Sequence, residues 1–134
     1  MKVFAIGALL LSAVALTAPP KGDAERGRVA FQKCYACHDM APDNDVAGPS
    51  LHAILGRPIA ARPGYDYSPA LRRLAKREGR WSEALLDRFV ADPETVAPGT
   101  AMTFTGMRDP QERADLMAWL RQSAPRLDST RPDE

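Results

Sequence analysis

Cys34-Tyr35-Ala36-Cys37-His38 is the stretch on which the reading of this chain turns. Two thiols three residues apart fall on one side of a single helical turn, and an imidazole follows the second at once. Cys-x-x-Cys-His in this order is the attachment signature of a c-type haem: both sulfurs become thioethers to the porphyrin, and the histidine becomes an axial iron ligand. The chain has only these two cysteines, so no other thiol competes for the role.

Other chemistries fit less well. A disulfide between Cys34 and Cys37 leaves His38 unexplained. A structural zinc site takes four ligands, and the chain offers Cys34, Cys37, His38 and His52 at a spacing unlike that of zinc fingers. A thioredoxin-type redox pair belongs in a βαβ pattern, which the sequence lacks.

The N-terminus has the pattern of an export signal. Lys2 is followed by an almost unbroken apolar run. Ala13-Val14-Ala15 fits a small-x-small cleavage site, with Ala18, before Pro19, as a second candidate. Residues 1–18 are expected to be the signal and 19–22 a lead-in. The run Val3–Ala18 is 16 residues long, short of the about 20 a membrane helix needs, so a retained anchor is the lesser alternative. Export places the mature protein in the periplasm. Loss of residues 1–18 from 134 leaves 116, and only Lys2 of the 18 basic residues goes with them, so 17 basic face 17 acidic. That is enough chain for one small domain, and a neutral balance gives no footprint for nucleic acid.

Along residues 23–123 the pattern is helical, with no strand-like alternation and no repeats. Asp23 is a plausible N-cap for a helix reaching about Cys34, with Gly27, Ala30, Phe31 and Cys34 on one stripe. Asp39–Pro49 reads as loop, and His52–Gly56 as a short helical turn. Ser68-Pro69 starts a helix that Gly79 stops. Ser82 caps another, with Leu85, Leu86, Phe89 and Val90 on its apolar face, which Pro93 ends. Val96–Gly106 is a long loop. Asp109-Pro110-Gln111-Glu112 is a capping box opening a helix that carries Leu116, Met117, Trp119 and Leu120. Residues 124–134 form a polar tail. The class is all-α, four to five short helices with long loops, and loops of this length in a small domain commonly wrap a ligand.

A second axial ligand could come from His52, Met40, Met102, Met107 or Met117. Methionines are mostly core filler. Met40 is too near His38 to reach the opposite face, and Met117 lies on a helix's apolar side. Met102 sits in the irregular small-residue loop Pro98-Gly99-Thr100-Ala101-Met102-Thr103-Phe104-Thr105-Gly106. Such a loop can approach a flat ring and project one thioether. Met102 is favoured, with His52 or an open site as alternatives.

From Gly27 to about Gln122 the chain resembles a class I c-type cytochrome of the mitochondrial and bacterial c2 type. The resemblance is carried, in order, by Gly27 and Phe31 before the Cys34–His38 motif, by Gly48-Pro49-Ser50-Leu51-His52 with Gly56-Arg57, and by Gly64-Tyr65-Asp66-Tyr67-Ser68. Trp81, Pro98-Gly99-Thr100-Ala101-Met102 with Phe104, and Leu116–Leu120 continue it. It implies one haem c bound covalently through Cys34 and Cys37, with His38 and Met102 on the iron. The Pro49 carbonyl would accept from His38 Nδ1, as outer partners of ligating histidines do. Arg57, Tyr67, Trp81 and Thr100 would hold the propionates, Phe104 would belong to the methionine loop, and His52 would bridge loops. Gly27 and Phe31 would pack on Leu116 and Trp119.

The chain also departs from that family. Ala101 stands where members commonly carry a lysine able to displace the methionine at high pH, so that switch should be missing. Phe89 stands where many have tyrosine; without the hydroxyl, the Met102 sulfur should be more electron-rich and the potential lower. Tyr67–Trp81 is a few residues longer than in mitochondrial members, the extra length falling in the Arg72–Arg80 helix.

These features imply an electron carrier, not an enzyme, that exchanges electrons transiently with a membrane cytochrome complex, an oxidase or a dehydrogenase, most simply as a monomer. Two alternatives are a haem-based catalyst or gas sensor with a labile methionine, and a dedicated subunit of one oxidoreductase. Arg72, Arg73, Lys76, Arg77 and Arg80 read first as a solvated helix face and second as a docking patch that steers an acidic partner.

Overall fold

Each helix starts where a short polar side chain can take up a free N–H. In a computed structural model describing residues 17–123, Asp23 accepts from Arg26 N (2.9 Å) at the head of α1 (Ala24–Ala30), which tightens into a 3-10 turn at Phe31–Lys33. Ser68 Oγ accepts from Leu71 N (3.2 Å) at the start of α2 (Pro69–Glu78). Ser82 Oγ does the same for Leu85 N (3.1 Å) in α3 (Glu83–Ala91). Asp109 accepts from Gln111 N (2.9 Å) to open α5 (Pro110–Gln122). Such caps contribute about 1 kcal/mol each. Proline fills the first helical position of α2 and α5, where its missing N–H costs nothing. Gly79, at φ +75°, ends α2.

Three local expectations are corrected. His52–Gly56 is a pair of hydrogen-bonded turns, not a helical turn, with Ala53 in the left-handed region at φ +50°. Pro93 does more than end α3. Asp92 turns the chain, accepts from Thr95 N (3.0 Å), and starts a one-turn helix, α4 (Pro93–Val96), with Pro93 at its head. The capping box is half made, because Glu112 reaches across to pair with Lys33 instead of folding back.

The main packing event is α1 crossing α5. A Cβ built on Gly27 would overlap the Asp115 carbonyl and lie 2.7 Å from Trp119 Cβ; the bare glycine lets the two backbones touch. Phe31 and Leu116 are fully enclosed beside this crossing, each contributing about 2 kcal/mol through burial. Leu85, Leu86, Phe89 and Val90 of α3, Leu74 of α2 and Ile54 and Ile59 of the intervening loops complete one core. Among the described residues there is no strand, only one isolated bridge between Pro58 and Arg80, and no helix is long and apolar enough to cross a membrane. The export signal and polar tail fall almost wholly outside the described residues.

Candidate functional site

The helices do not close on one another. They surround a cavity of about 500 Å³ bounded by the 3-10 turn, the Gly48–Tyr67 loops, α2, α3, the Thr100–Phe104 loop and α5. All ten residues singled out from the sequence line it: Cys34, Cys37, His38, Pro49, Arg57, Tyr67, Trp81, Thr100, Met102 and Phe104. Phe31, Leu51, Ile54, Leu86 and Leu120 make most of the remaining wall apolar.

One wall carries the thiols and the imidazole. Cys37 N and His38 N both donate to Cys34 O (3.0 and 2.9 Å), so the motif is wound into a turn that keeps both cysteines on the cavity side. Both thiols are free. Burial pushes the Cys34 thiol up to about 11, leaving it neutral, as suits an apolar surface. His38 Nδ1 donates to Pro49 O (2.7 Å), which leaves Nε2 as the nitrogen free for the cavity. Burial, more than the nearby Arg57 charge, lowers the imidazole's proton affinity, while the Pro49 bond opposes that. A Cβ on Gly48 would come 2.6 Å from His38 Nδ1, so glycine is what lets the loop lie against the ring.

The Pro49 carbonyl is itself held. Ser50, fully buried, donates its N–H to Asp45 Oδ1 (2.8 Å) and its Oγ–H to Ala41 O (2.6 Å). Its carbonyl accepts from Arg57 Nη2 (2.9 Å), and Arg57 Nη1 donates to His52 O (3.0 Å). Arg62 Nη2 donates to Asp45 Oδ2 (2.9 Å). That guanidinium first, and the Ser50 N–H second, hold the Asp45 carboxyl below the usual range. The sequence assigns no site role to Asp45, Ser50 or Arg62. Arg62 lies 17 residues from Asp45, and no local pattern joins them.

The loop after α4 supplies another part of the lining. Met102 lines the cavity, whereas Met107 and Met117 are core residues, each 2 % exposed, and Met40 packs on the core's edge. Among the described methionines, Met102 is the one at the cavity. Trp81 lies 5.1 Å from Phe89, ring to ring. Its main-chain N–H donates to Arg57 O (3.0 Å) and its carbonyl accepts from Gly56 N (2.8 Å). Tyr67 Oη accepts from Arg62 N (3.2 Å). Tyr65, another lining residue without an assigned role in the sequence, donates to Ala47 O (3.0 Å) and packs edge-on to Tyr67. His52 joins its loops through main-chain N–H and carbonyl; among the described residues its ring has no hydrogen-bonded partner.

Two free thiols, an imidazole and a thioether lining one apolar cavity fit a covalently attached porphyrin. Comparison with known proteins agrees. The family described as Cytochrome c matches residues 24–124, and the chain belongs to it, as a class I c-type cytochrome. Cytochrome c2 of Rhodomicrobium vannielii is 37 % identical over 122 residues, covering 90 % of this chain and 93 % of that protein. The solved cytochrome c2 of Rhodospirillum centenum superposes with a TM-score of 0.72 at 30 % identity, covering 78 % of this chain and 100 % of its own. Cytochrome cH of Methylobacterium extorquens gives 0.69 at 35 %, covering 75 % and 99 %. The protein is a monohaem electron carrier whose haem c is attached through Cys34 and Cys37.

Proposed function

We propose that this chain moves single electrons between protein partners through an iron held by His38 on one side and Met102 on the other, and that it works outside the cytoplasm after loss of residues 1–18. The observation that carries this is that Met102, alone among the described methionines, lines the same cavity as His38. When bound, the haem supplies a one-electron iron couple. Held by an imidazole and a thioether, that iron would have a higher potential than with two nitrogens, and His38 and Met102 together would leave no open position for a substrate.

The remaining work belongs to the chain. Pro49 keeps the His38 ring oriented and Nε2 unprotonated. Arg57, Tyr67, Trp81 and Thr100 supply the polar rim on which propionates would rest, and Phe104 helps exclude water. Covalent attachment keeps the cofactor with a carrier that meets its partners only briefly. A membrane cytochrome complex, an oxidase or a dehydrogenase is the class of partner proposed.

The basic helix is better explained as part of the fold than as a docking patch. Arg72 donates to Tyr67 O and Asp66, Arg73 to Pro98 O, Arg77 to Val96 O and Arg80 to Gly56 O.

The test is the visible and near-infrared spectrum of protein purified from a host that attaches haem. Covalent haem and a thioether-to-ferric-iron band are expected, and the reduced protein should not bind carbon monoxide readily. A missing band or ready carbon monoxide binding overturns the assignment. Mass measurement of the exported product checks the start of the mature chain.

A further inference from the structure

The loop bearing Met102 has little secondary structure of its own, so its backbone groups must find partners elsewhere. Val96–Thr100 finds them on α2, on α4 and within itself. Arg77 Nη2 donates to Val96 O (3.2 Å) and Arg73 Nη2 to Pro98 O (3.3 Å). From α4, Glu94 Oε1 accepts from Gly99 N (3.0 Å). Thr100 N donates to Ala97 O (3.0 Å), and Thr100 Oγ1 accepts from Met102 N (3.3 Å). Arg73 and Arg77 lie four apart and so share one face of α2.

We propose that Arg73 and Arg77 are positioning residues for Met102: their guanidinium groups form a latch on the Val96 and Pro98 carbonyls that keeps the thioether at the cavity. This rests on the proposed ligation of the iron by Met102. It gives the basic run of α2 a role that neither a solvated face nor a docking patch accounts for. The latch acts at a distance. Neither arginine lines the cavity, and each works through the loop's main chain.

The experiment measures how readily added imidazole displaces Met102 in the ferric holoprotein, read as loss of the thioether-to-iron band. In the double variant Arg73→Gln/Arg77→Gln the apparent imidazole association constant should rise about fivefold, the order expected from losing two exposed charge-assisted hydrogen bonds. Arg77→Lys, which keeps a charged donor, should recover part of the difference. Glu94→Ala releases Gly99 N and should also raise it, which keeps the test open if the double variant folds poorly. Lys76→Gln removes a charge from the same helix and no bond to the loop among the described residues, so it should leave imidazole affinity unchanged.

A double variant that denatures more easily yet binds imidazole like the native protein makes the arginines merely structural and overturns the latch. An equal rise in Lys76→Gln assigns the effect to charge on the iron and overturns it too. A native protein with no thioether band removes Met102 ligation itself, a failure distinguishable from the other two.

Discussion

The two walls of the cavity are built to different standards. On the histidine side, the ring's partner Pro49 is followed by a fully buried serine whose N–H, hydroxyl and carbonyl are each bonded, and a guanidinium–carboxylate pair closes the outside. On the methionine side, the side-chain ties to Val96–Met102 are longer, at 3.0–3.3 Å, and two come from exposed arginines. Among the described residues, Thr103–Gly106 makes no main-chain hydrogen bond. Local opening free energy falls where backbone bonds are few and exposed. The histidine wall should therefore hold its geometry while the methionine wall yields first to heat, alkali or a competing ligand.

The largest effect should come from cutting the weaker wall outright. Met102→Ala should abolish the thioether band and let the ferric protein take up imidazole, while the haem stays attached through its two covalent bonds to Cys34 and Cys37. Release of the haem from that variant under denaturing conditions would break the comparison.

Next in size is the crossing beneath both walls. Gly27→Val puts a branched side chain where even a Cβ overlaps the Asp115 carbonyl, and should cost about 3 kcal/mol of stability in chemical denaturation. A cost within error of zero would mean α1 and α5 can separate freely.

Acid sharpens the same point. Asp115, 4 % exposed, accepts from Asp23 N, Gln111 and both Arg26 donors. The Arg26 bonds first of all hold its carboxyl down at about 2, against an ordinary 3.8. A lowered folded-state value means the stabilisation is complete above the ordinary value and is lost as pH falls through the folded one. It should thus be whole above about pH 4 and fade toward pH 2. Asp115→Asn should be less stable at neutral pH and show a shallower decline over that window, followed by circular dichroism. An identical acid profile would remove Asp115 from the crossing's stability.

The smallest effects concern tuning. Ala101→Lys should lose the thioether band at a lower pH than the native protein, as the added lysine deprotonates, as seen by absorbance. Phe89→Tyr, a change beside Trp81 in the buried wall, should raise the midpoint potential by tens of millivolts. No change there would mean that position does not reach the sulfur.

Much of the site is legible in the sequence because the decisive chemistry is local. Cys34, Cys37 and His38 occupy one turn. Asp23, Ser68, Ser82 and Asp109 cap their own helices within three residues. The small-residue setting of Met102 distinguishes it from the helix-borne Met117 by neighbours alone. Pro93 is less legible, because a proline after a helix and a proline beginning one look alike. Asp92 decides between them only through its bond to Thr95. Asp115 gives no signal beyond an acid beside Leu116, because its main partner Arg26 lies 89 residues away.

Sequence by itself determined the haem attachment at Cys34, Cys37 and His38, the all-α class and the starts of four helices, since each depends on neighbours one or two turns apart, while the propionate contacts followed from the resemblance to class I c-type cytochromes. Only the tertiary structure decided what restrains those residues: the Asp45–Ser50–Arg62 brace behind Pro49, the buried Asp115 at the helix crossing, and the inward duty of Arg73 and Arg77. A guanidinium is long and donates in several directions, so its sequence position does not say which carbonyl or carboxylate it will find. That choice is made when distant segments pack and leave a polar group needing a partner.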